Sequence, residues 1–268
     1  MPGPRLFLLS LSALLALTSS APGQGRPSEF LEVVQVTVKP SGVAEYEDYL
    51  KTVVAAANKV GAPNRALTYQ LVMGGPGYTY FFAIHFDRWD ERESWPSIPE
   101  VLRQAYGDME GGRILSAGRA PVERSESAVY RLQPDLGTRL RLIDPPSPYM
   151  LLVRTEVHPE LASAYEIFLA KLKTAEEKEP GSPTGIRRVS VLGVASTYQT
   201  ARPFSKHAER AAWPGTEELL RKAYGEAEAA QLIEGSLRAV RSRFTCVLAL
   251  RPDLSRPKGG PAPTTSDK

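Results

Sequence analysis

The sequence predicts an α+β fold built twice, as two tandem ferredoxin-like repeats in one chain. Three observations carry this. The block from Trp95-Pro96 to Ala105-Tyr106-Gly107 returns 118 residues later as Trp213-Pro214 to Ala223-Tyr224-Gly225. That spacing is too long for a solenoid unit and suits one complete small domain. A Pro-Asp-Leu exit closes both copies, at Pro134-Asp135-Leu136 and Pro252-Asp253-Leu254. Between these landmarks each copy reads as strand, helix, two strands, helix, strand, the order of a split βαβ unit.

Each element has a local reason. Phe30 to Lys39 alternates apolar residues with Glu32, Gln35 and Thr37 and is closed by Pro40; Tyr149 to His158 does the same and is closed by Pro159. The next helix shows one face in Leu161, Tyr165, Phe168, Leu172 and Ala175, matched by Tyr46, Tyr49, Val53 and Ala56. Two strands follow, Ala66 to Met73 and Tyr78 to Phe86, joined by Gly74-Gly75-Pro76-Gly77, whose glycines supply the positive backbone angles of a tight reversal. This spacer lacks the pattern of a phosphate loop. The second copy carries Ile186 to Leu192 and Ala195 to Ala201 there. Ser97 with Glu100 predicts a capping box opening the Trp-Pro helix, and Gly107 and Gly225 predict its stop. Further helix is expected over Asp108 to Gly118 and Glu226 to Arg241. Closing strands are expected over Glu126 to Leu132 and Phe244 to Leu250.

These landmarks divide the chain into repeats over 30–136 and 149–254. A stiff linker over 137–148 contains Asp144-Pro145-Pro146-Ser147-Pro148, and the tail over 255–268 is rich in Pro, Gly and Thr. Residues 1–23 have the layout of a secretory signal peptide. Arg5 precedes the apolar run Leu6 to Leu17, and small residues follow, with cleavage expected after Gly23. The run is too short to span a bilayer as a helix. The sequence thus predicts export to the periplasm or beyond.

A net charge of +3 with interspersed signs gives no footprint for nucleic acid, and no second long apolar segment predicts a membrane span. The lone Cys246 cannot form an internal disulfide and reads as a small core residue. His85, His158 and His207 show no HxH, HxxxH or HExxH spacing, so no metal site or other cofactor is predicted.

A unit of this size and order, duplicated in tandem with an aromatic-rich first helix, resembles the dimeric α+β barrel superfamily. That group includes antibiotic-biosynthesis-type monooxygenases, EthD-like proteins and the NIPSNAP group. The resemblance covers about residues 30 to 254. It implies that the two sheets face one another and close a barrel within one chain, giving a monomer with an internal pseudo-dimer. The superfamily hosts oxygenases, isomerases, haem enzymes and proteins of no known role, so fold does not carry function. Some members ligate haem through a histidine, but nothing in Phe81 to Phe86 marks His85 as such a ligand.

Strand alternation sorts candidate site residues by face. Leu152, Arg154, Glu156 and His158 share one face of their strand, Arg188 and Ser190 one face of theirs, and Arg243 and Thr245 one face of the last. In a barrel these polar faces are expected to line a cavity between the repeats. Arg154, Arg188, Arg243, Glu156 and His158 would then bind a carboxylate or other anionic small molecule through forked hydrogen bonds. On the sequence offsets these arginines replace Gln35, Gln70 and Ser125 of the first copy, as if one copy had specialised. Alternatively, the sheet face is solvated and the charges only pair with one another. The first copy is rich in aromatics, and Tyr80, His85 and Trp89 form a candidate set for a cofactor-independent monooxygenase that orients an aromatic substrate. Trp95 and Trp213 are expected to pack beneath their helices. The leading reading is an exported small-molecule-binding barrel; the alternatives are that oxygenase and a non-catalytic interaction module.

Overall fold

A computed structural model describes residues 27–138, 146–183 and 185–256. The expected signal peptide, most of the expected linker and most of the expected tail lie outside the described residues. The first half contains β1 (Phe30–Val38), α1 (Val43–Lys59), β2 (Ala66–Met73), β3 (Thr79–Phe86), α2 (Trp89–Glu93), α3 (Ile98–Tyr106), α4 (Asp108–Arg119) and β4 (Val122–Leu132). The second contains β5 (Tyr149–Val157), α5 (Ala162–Lys178), β6 (Ile186–Leu192), β7 (Thr197–Phe204), α6 (His207–Ala211), α7 (Thr216–Tyr224), α8 (Glu226–Ala239) and β8 (Val240–Leu250).

The strands close a single antiparallel barrel in the order β1-β3-β2-β8-β5-β7-β6-β4. Each half contributes four neighbouring strands, and the seams are the antiparallel pairs β2–β8 and β4–β6. Stepping four strands around the barrel carries every strand onto its counterpart. The halves are therefore related by a pseudo-twofold along the barrel axis, with matching strand ends at the same mouth. Closure removes the exposed edges that an open four-stranded sheet would present.

Residues alternate between the barrel interior and the helix layer. Leu67, Tyr69, Leu71, Phe81, Leu152, Ala201, Cys246 and Leu248, drawn from both halves, fill the middle of the interior. Outside, Val36, Val38 and Tyr80 pack on Tyr46 and Leu50 of α1, while Val157 and Tyr198 pack on Tyr165, Phe168, Leu169 and Leu172 of α5. Each such fully buried side chain contributes about 1.5–3 kcal/mol.

The local signals hold at the helix starts and stops. Ser97 and Glu100 make the reciprocal capping box, and Gly107 and Gly225 both take φ 81° after their helices, a conformation that favours glycine. Strands β4 and β8 begin several residues earlier than their apolar runs, because Arg124 and Ser125, and likewise Ser242 and Arg243, pair along their neighbours despite being polar. Strand β7 runs on through Arg202 and Pro203 to Phe204. The short α2 and α6 were not legible, each being only five residues long.

The register between the halves differs from the sequence offsets in one place. Gln70 pairs with Tyr80 and Val189 pairs with Tyr198, so the 119-residue offset persists through β6. The single-residue shortening lies in the β6–β7 hairpin, where Gly193 to Ser196 replaces Gly74 to Tyr78. Both hairpins end in a non-glycine residue with positive φ, Tyr78 at 59° and Ser196 at 52°. Arg187 and Arg188 thus correspond to Thr68 and Tyr69, and the alignment of Arg188 with Gln70 is corrected by one residue.

Candidate functional site

The expected convergence of Arg154, Arg188 and Arg243 does not occur. Arg243 pairs with Thr155, and Thr245 with Val153, on the outward face of the sheet, whereas Phe244 and Cys246 point inward. The polar face of β8 faces the helices because the interior beside it is apolar. Arg154 lies inside at the upper mouth, defined by the ends of β1 and β5, with its guanidinium 5.5 Å from the Phe244 ring centroid. Arg188 lies inside at the lower mouth, where Nη2 donates to the Ser28 carbonyl at 3.3 Å. His158 stands beyond the end of β5, half-exposed, with Nδ1 3.9 Å from Glu160 Oε1.

The aromatic set is also dispersed. Tyr80 faces α1, where its hydroxyl donates to Glu47 Oε1 at 2.7 Å, and burial with that carboxylate raises its pKa. Trp89 packs on Phe30 and Phe86 in the helix layer. Only His85 points into the barrel. Trp95 and Trp213 each meet an aromatic ring, Phe86 and Phe204, edge-on beneath their helices. Buried Cys246 has its thiol pushed up to about 12 by burial, which leaves it unreactive as a nucleophile.

Two cavities among the described residues bear on the site. The upper-mouth cavity, about 530 Å³, lies between the halves and is lined by Gln35, Arg124, Glu126, Tyr130, Arg154, Glu156 and Thr197, among others. Arg124 pairs with Glu126, so charge here is balanced. Gln35 Oε1 and Thr197 Oγ1 are buried there without a partner among the described residues. Arg154 and Glu156 are thus brought together as expected.

The second cavity, about 300 Å³, lies between the outer face of the second half's sheet and α5, α7 and α8. Tyr165, Phe168, Leu169, Leu172 and Ile233 form its apolar wall, and Arg187, Arg202 and Arg243 its cationic one. Arg187 is 2% exposed, Arg202 is half-buried and Arg243 stands at the rim. Glu176 of α5, itself 1% exposed, accepts from Arg187 Nη2 at 2.8 and 2.9 Å and from Arg202 Nη2 at 2.5 Å. Arg187 also donates to the Leu136 carbonyl. Burial lowers the Arg187 pKa against the opposing pull of Glu176. The Nε groups of Arg187 and Arg202 have no partner among the described residues, and Arg243 makes no ion pair there.

The first half has no such chemistry at the matching positions. Thr68, Ile84 and Ser125 stand where the second half has Arg187, Arg202 and Arg243, and Ala57 stands for Glu176. Phe82 replaces Thr200, and Tyr49 replaces Phe168 and packs directly against Gly118, the counterpart of Ser236. Thr200 in place of Phe82 leaves space in the second half, and charged side chains line it. Sequence reasoning missed Arg187, Arg202 and Glu176. The signal was present, since Glu176 falls four residues after Leu172 on the buried stripe of its helix, and Arg187 alternates with the helix-facing Val189.

None of the three histidines lines this cavity, so its residues do not fit an axially ligated haem. No cluster of three or more metal-ligating side chains occurs among the described residues. No helix among them is long and apolar enough to cross a membrane.

No family model matches the sequence, and no curated protein matches it. Solved structures do match in fold. An anthrone oxidase-like protein superposes with a TM-score of 0.56 at 9% identity, covering 88% of this chain and 96% of that one. A candidate monooxygenase from Fusobacterium nucleatum gives 0.52 at 11%, covering 88% and 97%. Chlorite dismutase from Candidatus Nitrospira defluvii, in complex with imidazole, gives 0.50 at 9%, covering 85% and 92%. This chain has the dimeric α+β barrel fold of these proteins, closed within one polypeptide.

Proposed function

We propose that this protein is an exported small-molecule-binding barrel whose ligand is an organic anion, held beneath α5, α7 and α8. The observation that supports this most is a charge imbalance. Three arginines border one apolar-walled cavity and share a single buried carboxylate, Glu176, leaving two unused buried Nε donors and an unpaired Arg243. A carboxylate, sulfonate or phosphate at the rim would pair with Arg243 and Arg202, with its hydrocarbon or ring against Phe168 and Leu172. The one-sided divergence of the second half supports the same reading. The arginine cavity then lies outside the barrel rather than between its halves.

The halves are best read as tandem ferredoxin-like repeats, on their shared element order and strand order. Export rests on Arg5, the apolar run after it and the small residues that follow. Terminal sequencing of secreted material should give a start near Gln24, and an intact Met1 would refute it.

The test of function is native mass spectrometry of purified protein, followed by thermal-shift screening of aliphatic and aromatic carboxylates, sulfonates and phosphates. At least one anion class should stabilise the wild type and lose its effect in Arg243→Gln and Arg202→Gln. A screen in which only neutral or cationic compounds respond would overturn the reading.

A further inference from the structure

At the lower mouth, three nitrogen donors are buried with nothing to receive them. Arg188 is 3% exposed, its Nε has no partner among the described residues, and its one hydrogen bond reaches the Ser28 carbonyl at 3.3 Å. Arg65 Nε and His85 Nδ1 are likewise buried and unpartnered. The three groups belong to one neighbourhood: the antiparallel pair Ala66 and Ile84 sets Arg65 across from His85, and Arg188 reaches the Ser28 carbonyl just before β1, whose Leu31 pairs with His85. Leu31 pairs with His85 and Leu132 with Arg188, and both leucines are buried; the other cross-strand neighbour of Arg188 is the buried, uncharged Gln199. Neither arginine forms an ion pair with a described carboxylate.

Such an arrangement is costly as it stands. A buried charge needs a partner, and one left unpaired is strongly destabilising. His85 can respond by staying neutral, and burial beside the two arginines pushes its pKa down to about 3. Arg188 cannot respond in this way. Burial brings it down only to about 10, so it carries its charge at neutral pH. The missing element is negative charge.

We propose that the lower end of the barrel interior is a binding site for a small inorganic anion, of which chloride is the abundant example, coordinated by Arg188, Arg65 and His85. Arg188 Nε, Arg65 Nε and His85 Nδ1 each offer a buried N–H with no partner among the described residues, a donor set that suits a small inorganic anion. A neutral imidazole with its proton on Nδ1 is a donor of this kind. The site is separate from the cavity under α5, because it lies on the opposite face of the sheet.

The test compares thermal unfolding of the full chain in sodium chloride, sodium bromide and sodium gluconate at equal ionic strength. Chloride and bromide should raise Tm by about 3–6 °C over gluconate in a saturable way, as expected for a ligand bound only by the folded state. The increment should vanish in Arg188→Met, shrink in His85→Phe and persist in Arg243→Gln. Crystals soaked in bromide should show an anomalous peak between Arg188 and His85. Should Arg188→Met fail to fold, the wild-type salt series and the bromide peak decide alone. Equal Tm in chloride and gluconate, or no bromide at this position, would overturn the proposal. Loss of the halide effect in Arg243→Gln would overturn the separation of the two sites.

Discussion

Glu176 and Arg187 face one another at 2.8 Å between helix and sheet, each almost wholly removed from water. The first half holds Ala57 and Thr68 at the same two positions and folds the same way, so the pair is not needed to build the architecture. Glu176→Ala should cost about 3–5 kcal/mol in denaturant unfolding, because it strands two guanidinium groups. The double change Glu176→Ala with Arg187→Thr should recover most of that loss. A double variant as unstable as the single one would show that the pair contributes more than charge compensation.

Tyr49 and Gly118 explain why the first half is closed where the second is open. A Cβ built on Gly118 would sit 2.3 Å from the Tyr49 ring, far inside van der Waals contact. Gly118→Ser should therefore destabilise by about 1–3 kcal/mol through overpacking. Its counterpart, Ser236→Gly, should cost about 1 kcal/mol or less, the helix penalty of glycine. Chemical denaturation of both variants makes the comparison.

Acid sensitivity should centre on Glu47. Its hydrogen bonds from Arg251 hold its pKa below the ordinary 4.5. A depressed carboxylate contributes stability above its unfolded value and loses it as pH falls through the folded one, so the contribution disappears below about pH 4.5. Arg251→Gln should lower stability at neutral pH by about 1 kcal/mol, the low end for a partly exposed charged hydrogen bond. It should also flatten the acid limb of the stability–pH profile. A profile parallel to wild type below pH 5 would remove Glu47 from the account.

The barrel closes through β2–β8 and β4–β6, one seam on each side. An isolated second half, residues 149–254, would leave both its edge strands and its inner sheet face uncovered. It should dimerise or aggregate, whereas the full chain should run as a monomer in light scattering. A stable monomeric half would show that the sheet faces do not depend on each other.

The duplication, the element order and most helix ends were legible because each rests on local chemistry: a repeated Trp-Pro start, a capping box, a glycine stop. The site was less legible. Alternation correctly separated Arg154 and Glu156 from Leu151 and Val153, and Arg243 from Phe244, but it could not say which face was the interior. A polar face was taken to line the cavity. In β5 it does, while in β8 the interior claims Phe244, Cys246 and Leu248 and leaves Arg243 to the helix side. Nor could alternation see that Arg154 and Arg188, which both pair with Gln199, send their guanidinium groups apart, one to Phe244 and the other to the Ser28 carbonyl. The hairpin shortening, hidden in Gly193 to Ser196, shifted the alignment of Arg188 by one residue.

Those two faces make a decisive comparison available. Arg154 and Arg243 lie on neighbouring strands, Arg154 pairing with Phe244, yet they point to opposite sides of the sheet. If the ligand sits beneath the helices, Arg243→Ala should weaken binding of the responding anion by about 1–3 kcal/mol, the loss of a charge-assisted hydrogen bond, or roughly ten- to hundredfold in Kd. Arg154→Ala should leave that affinity within a factor of about two, since additivity holds for sites without shared partners. Isothermal titration with the anion found by screening reads both variants directly. Arg243 is exposed and unpaired, so its loss should not unfold the protein, and a stable variant with unchanged Kd would count against the cavity. The reverse pattern, with Arg154→Ala losing affinity and Arg243→Ala keeping it, would move the ligand into the upper mouth beside Gln35 and Thr197.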